Sequence, residues 1–113
     1  MKWQLEITSV RRPAGLRVAG EIDLETVPVL DLALEPLLAA GNDVVLDLAE
    51  LTFIDVTGVR ALARTASQLR SAGLQLHLVR VSANVRLLFG LSGWAHLLGL
   101  SGVVTDPTER ASG

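Results

Sequence analysis

Apolar and polar positions change period several times along this chain, and each change marks an element. Trp3, Leu5 and Ile7 alternate with Gln4, Glu6 and Thr8, so residues 2 to 10 are predicted to form a strand with one buried face. Arg11-Arg12-Pro13-Ala14-Gly15 reads as a turn, and residues 16 to 22 (LRVAGEI) as a second strand. The short connection makes an antiparallel hairpin the expected pairing. Asp23-Leu24-Glu25-Thr26 is a polar lead-in to a helix, with Thr26 or Asp23 as N-cap and Pro28 in the first turn. Val27, Leu30, Leu34, Leu37 and Leu38 recur at helical spacing up to Gly41, a helix terminator. Pro36 interrupts that pattern and is expected to kink or split the helix, because proline removes one hydrogen bond and crowds the carbonyl of Leu32.

Residues 44 to 48 (VVLDL) form an apolar run too short for a helix and rich in valine, which fits a central strand. Val59, Leu62, Ala63, Ala66 and Leu69 then mark one face of a helix whose other face carries Arg60, Arg64, Ser67 and Arg70, and Gly73 closes it. Residues 74 to 79 alternate as a strand. Ser82 caps a third helix, residues 94 to 100 suggest a short fourth, and the polar segment from Thr105 onward has nothing to bury. The predicted order is ββαβαβαα. Strands alternating with helices imply right-handed crossovers and an α/β fold, a mixed, mainly parallel sheet with helices packed on it.

Length and composition narrow the function classes. At 113 residues with half of them apolar, the chain supports one core, read as a single domain over residues 1–104 with a flexible tail at 105–113. The net charge of -2, with Lys2 as the only lysine, gives no global field for nucleic acid or anionic lipid. There is no cysteine, which excludes disulfides, thiolate metal sites and a cysteine nucleophile. Gln4 and Glu6 stand where a signal peptide needs an apolar core, and no apolar run reaches the roughly 20 residues of a membrane span. A cytoplasmic protein is expected.

The chemistry concentrates in Asp55-Val56-Thr57-Gly58, between a predicted strand region and a predicted helix. Asp55 suits an N-cap, accepting hydrogen bonds from amides two and three residues on. Gly58 fits a turn that approaches the sheet. Thr57 lies in the first helical turn beyond the C-terminal end of a parallel strand, where open α/β sheets bind ligands and a phosphate meets backbone amides and the positive end of the helix dipole.

Four segments together resemble the STAS domains, and among them the bacterial anti-sigma-factor antagonists. They are Gly20-Glu21-Ile22-Asp23, Val44-Val45-Leu46-Asp47-Leu48, Phe53-Ile54-Asp55-Val56-Thr57-Gly58 and Asn84-Val85-Arg86-Leu87-Leu88, and the resemblance spans residues 3 to 104. It implies that Thr57 is a phosphoacceptor, phosphorylated by a partner anti-sigma factor with an ATPase fold and serine/threonine kinase activity. It further implies that the unphosphorylated protein binds that partner and frees sigma, and that a phosphatase resets Thr57. Asp23 matches an acidic residue beside the partner surface and Asp55 the motif acid. With them, Val56, Gly58, Arg60 and Arg64 complete the partner-binding surface expected here. Val56 departs from the family's frequent serine, and the acceptor is threonine rather than serine. No cofactor or metal is implied, and a homodimer is left open.

Three other readings fit less well. A receiver domain phosphorylated at Asp47 needs further acids after the first strand and a lysine near the phosphoryl group, and the chain has Ser9-Val10-Arg11-Arg12 there and no lysine after Lys2. An enzyme lacks support, since His77 and His96 have no cysteine or acid partner in the sequence pattern. The doubled Gly-Leu-Ser-Gly in GLSGWAHLLGLSG lacks the lysine of a phosphate loop and reads as helix termini packing on the core. The alternative within the same fold is a constitutive STAS binding or scaffold module, in a stress-signalling assembly or a transporter complex.

Overall fold

A computed structural model of the chain describes residues 5–10 and 15–92. Strand β1 (Leu5–Val10) and strand β2 (Gly15–Ile22) form the expected antiparallel hairpin, in a register that sets Ile7 opposite Val18. Helix α1 (Val27–Ala39) leads to β3 (Val44–Asp47), and after a short turn comes β4 (Leu51–Ile54). Helix α2 (Val56–Ser71), β5 (Leu76–Val79) and α3 (Ala83–Ser92) complete the described order, ββαββαβα. The predicted turn at 11–14, the helix at 94–100 and the tail at 105–113 lie outside the described residues, as do Lys2 and Trp3.

The sheet is mixed, with the order β1-β2-β3-β5 and β4 also paired to β2. β2 is long enough to serve two partners in succession. Its first three residues pair in parallel with β3 and its last three with β4, with a register shift at Gly20/Glu21. The α/β class expected from the alternation therefore holds, with one strand more than the pattern indicated.

Alternation of side chains gives the sheet one apolar face. Leu16, Val18, Ile22, Val44, Leu46, Leu76 and Leu78 are buried together with Leu30 and Leu34 of α1, Val59, Leu62, Ala66 and Leu69 of α2, and Val85 and Phe89 of α3. The helix faces read from spacing are the ones that pack: Val59, Leu62, Ala63, Ala66 and Leu69 are all buried, and Arg60, Arg64, Ser67 and Arg70 are all exposed.

Two local predictions are refined. Pro36 lies inside α1, which runs unbroken through it. Pro36 and Leu32 are both on the solvent side, so the carbonyl of Leu32 that loses its helical donor can be served by water. At the end of α2, Gly73 adopts φ +76° and donates to the Arg70 carbonyl at 2.9 Å, while Leu74 donates to Leu69 at 2.8 Å. That paired geometry is a Schellman termination, and it needs a residue tolerant of the left-handed region at position 73.

Candidate functional site

Strands β2 and β4 run in parallel and stop together. Ile22 is opposite Ile54, and the Asp55 amide donates to the Ile22 carbonyl at 3.1 Å. The two segments that follow, the Asp23 loop and the Asp55–Gly58 turn, therefore emerge side by side at the C-terminal ends of parallel strands, where α/β sheets hold their sites.

The turn is built by Asp55. Its backbone is extended (φ -102°, ψ -176°), its carboxylate accepts from the Gly58 amide at 2.9 Å, and its carbonyl accepts the first helical hydrogen bond from Val59 at 2.9 Å. This is the N-cap expected from sequence. Gly58 is buried, and a Cβ there would come within 2.6 Å of Ile54 Cγ1 and 2.7 Å of Ile22 Cγ2. Only a glycine lets α2 start this close to the ends of β2 and β4. Thr57 is half-buried in the first turn, and Val56 is 41% exposed beside it.

The Asp23 loop is more constrained than a surface charge would be. One Asp23 carboxylate oxygen accepts from the Glu25 amide at 3.0 Å and from the Thr26 amide at 3.1 Å. Thr26 is the N-cap residue of α1 but makes no side-chain cap bond. Its buried hydroxyl accepts from the Asp23 amide at 2.9 Å and donates to the Glu21 carbonyl at 2.9 Å. Aspartate and threonine thus lock each other's backbone and hold the intervening Leu24 outward, 71% exposed. Sequence reasoning passed over Leu24, although a leucine inside a polar lead-in was a signal, and it passed over the pairing of Asp23 with the threonine three residues on.

The structure brings Asp23, Asp55, Val56, Thr57 and Gly58 to one end of the sheet. Arg60 follows one turn along α2 and is exposed. Arg64 lies one turn further and faces α1, with its guanidinium 3.7 Å from Asp31 across a pair that is about half exposed on both sides. Such a pair contributes roughly 0–1 kcal/mol.

Comparison with known proteins places this geometry. A family model described as "Mlab, STAS domain" matches residues 5–101. The chain belongs to the STAS domain family. The anti-sigma-B factor antagonist of Bacillus subtilis is 30% identical over 101 residues, covering 89% of this chain and 93% of its own, and that of Staphylococcus aureus is 28% identical over 99 residues, covering 87% and 92%. Among solved structures, that of the anti-sigma factor antagonist SpoIIAA in its unphosphorylated form superposes with a TM-score of 0.70 at 22% identity, over 96% of this chain and 91% of the other.

Within this STAS domain, Asp47 is occupied by an ion-pair cluster. Arg80 donates to both carboxylate oxygens, Arg17 approaches within 3.6 Å, and the Ala49 amide donates at 3.1 Å. Burial would raise the Asp47 pKa, but the hydrogen bonds from Arg80 and Ala49 and the charges of Arg80 and Arg17 outweigh it and hold the carboxyl below its ordinary value. Arg80 reaches this position with φ +56°, a left-handed backbone that a non-glycine residue adopts only when its surroundings hold it there. His77, predicted to lack an acid partner, stands 3.4 Å from Asp43. The Gln75 amide and His77 hold the Asp43 carboxyl below its ordinary value. Among the described residues no group of three or more His, Cys, Asp or Glu side chains is placed to hold a metal, and no helix is long and apolar enough to cross a membrane.

Proposed function

We propose that this STAS domain is an anti-sigma-factor antagonist whose binding is switched by phosphorylation of Thr57. The observation that carries the reading is the position of Thr57: half-buried in the first turn of α2, between the Asp55 cap and the packed Gly58, beside the Asp23 loop. A hydroxyl there sits at a helix N-terminus, so the free protein tolerates a phosphate close to backbone amides and the dipole's positive end. Inside a fitted interface the same group adds a charge of roughly -1.5 to -2 that must be desolvated, and association fails. The antagonists of B. subtilis and S. aureus, aligned over most of their length, support the role.

On this reading the partner is an anti-sigma factor with an ATPase fold and serine/threonine kinase activity. It contacts Asp23, Asp55, Val56, Gly58, Arg60 and Arg64, and a phosphatase restores the Thr57 hydroxyl. The protein itself catalyses nothing and acts in the cytoplasm. Val56, in place of a second hydroxyl, leaves Thr57 as the single acceptor in the turn. The test is incubation of the purified chain with its cognate anti-sigma factor and ATP: one phosphoryl group is expected on the wild type and none on Thr57→Ala. Phosphate on Thr52 or Thr65 instead overturns the assignment.

A second reading, a constitutive STAS module with no phosphorylation switch, is favoured by Val56 standing where the family often has serine and by the Mlab description of the matching family model. Stable binding of a partner that leaves Thr57 unmodified in the presence of ATP distinguishes it.

A further inference from the structure

Helix α1 is apolar on the side that faces water as well as on the side that faces the core. Leu30 and Leu34 are fully buried, yet Leu32, on the opposite pole, is 67% exposed, Val29 one turn before it is 50% exposed, and Leu24 ahead of the helix is 71% exposed. An amphipathic helix of a self-sufficient domain places polar residues on that pole. Pro36, also exposed, extends the ridge, which from Val29 to Pro36 runs about 10 Å along the helix at 1.5 Å per residue.

The charge carried by α1 and its lead-in has one sign. Residues 23–39 hold Asp23, Glu25, Asp31 and Glu35 and no Lys, Arg or His. Glu25 and Glu35 are exposed and Asp31 is half-exposed along the helix, and Arg64 of α2 is the cation that reaches Asp31. A ridge of this kind complements a surface with apolar side chains edged by positive charge. A second α1 does not qualify, because it would set acids against acids. The chain's own residues 93–113, with two acids and one arginine, do not supply that charge either.

We propose that the outer face of α1 is a docking surface for a basic amphipathic helix of another protein, its apolar stripe seated on Val29 and Leu32 and its lysines or arginines set against Glu25 and Glu35. This goes beyond the Thr57 switch and is independent of it. Such a helix-to-ridge contact is anchored at positions i, i+3 and i+7 of the incoming segment. Positive flanks select it over acidic or neutral helices.

The probe is a synthetic helix of about 18 residues with leucines at i, i+3, i+4 and i+7 and lysines elsewhere, alongside the same helix with glutamate in place of lysine. Titrated into the full ¹⁵N-labelled chain, the lysine helix is expected to shift amide signals of residues 28–36 and to bind at least about tenfold more tightly than the glutamate helix. Leu32→Ser should weaken it by about tenfold or more while leaving the melting temperature nearly unchanged, since the side chain is exposed. Raising the salt from about 0.05 M to 0.5 M should weaken it further. The proposal is overturned if the shifts centre elsewhere, if the two helices bind alike, or if Leu32→Ser binds as the wild type does. It is overturned equally if sedimentation shows self-association that Leu32→Ser abolishes, because a second copy then covers the face. Thr57→Ala should leave the titration unchanged, so failure here and failure of the phosphorylation reading register in separate experiments.

Discussion

The Gly58 amide donates to the Asp55 carboxylate at 2.9 Å while the Gly58 Cα faces Ile22 and Ile54, so one residue both closes the cap of α2 and packs against the ends of two parallel strands. Neither half works alone: the cap fixes where α2 begins, and the missing side chain allows it to begin that close to the sheet. Thr57, held between these two residues, inherits its place from them.

Gly58→Ala therefore sets helix propensity against packing. Alanine gains about 1 kcal/mol within a helix. The added Cβ, however, would lie 2.6 Å and 2.7 Å from side-chain atoms of Ile54 and Ile22 and 3.1 Å from the Ile22 carbonyl oxygen. Overpacking of this kind costs roughly 1–3 kcal/mol. Net destabilisation is expected, read as a lower denaturant midpoint, and an alanine variant more stable than the wild type would mean that α2 shifts freely.

Asp23 is expected to act on stability as well as on binding. A solvated charge there contributes ~0–1 kcal/mol through its charge alone. Its carboxylate instead accepts from the Glu25 and Thr26 amides. Asp23→Ala should lower stability by about 1 kcal/mol, the usual effect of losing a cap, and should weaken the proposed anti-sigma-factor complex by loosening the loop beside the Asp55–Gly58 turn. Asp23→Asn keeps the acceptor and should restore stability. Thermal melts of the two variants separate the hydrogen bonds from the charge, and equal loss in both would assign the effect to charge.

Much of this was legible in the chain because it is local or periodic. The buried face of α2 follows from 3.6-residue spacing, the Asp55 cap from its place before a helix, and the Gly73 termination from a glycine after the last periodic leucine. β4 was not legible. Two of its four residues are exposed, and its identity as a strand rests on pairing with β2, as in Ile22 opposite Ile54, across the separation set by α1 and β3. Pro36 does not split α1, because its effect depends on whether the Leu32 carbonyl can be served by water, which is a tertiary fact. His77 gained its acid from Asp43, 34 positions away in the chain, by the same kind of long-range pairing.

Acid sensitivity should trace to Asp47. Its folded pKa lies below its unfolded value, so its contribution to stability is fully present above the unfolded pKa, near 4, and is lost as pH falls through the folded value. Asp47→Asn removes this dependence while keeping the shape of the side chain, although Arg17 and Arg80 are left without their anion. The variant should be less stable than the wild type at pH 7, with the difference shrinking below about pH 4. Denaturant titrations across that range check it, and a difference that stays constant with pH would show that the carboxylate charge is not what the two arginines stabilise.

Substitutions at Thr57 test whether charge alone operates the proposed switch. If phosphorylation acts by placing an anion in a desolvated contact, Thr57→Glu should imitate it and lower affinity for the anti-sigma factor by ~2 kcal/mol or more, the size expected for an unpaired charge buried at an interface. Thr57→Ala should remain bound, since losing one hydroxyl costs about 1 kcal/mol. Folding should respond in the opposite sense. A carboxylate in the first turn of α2 is favoured by the helix dipole by roughly 0.3–1 kcal/mol, with the Asp55 carboxylate two residues away drawing the gain toward the lower end. Glutamate should therefore leave the fold as stable as the wild type or slightly more so while binding collapses, a combination that general damage to the fold cannot produce. Calorimetry against the purified partner, paired with thermal melts of both variants, measures the two quantities independently. Wild-type affinity in Thr57→Glu would show that charge in this turn does not govern association, and would shift the balance toward the constitutive module.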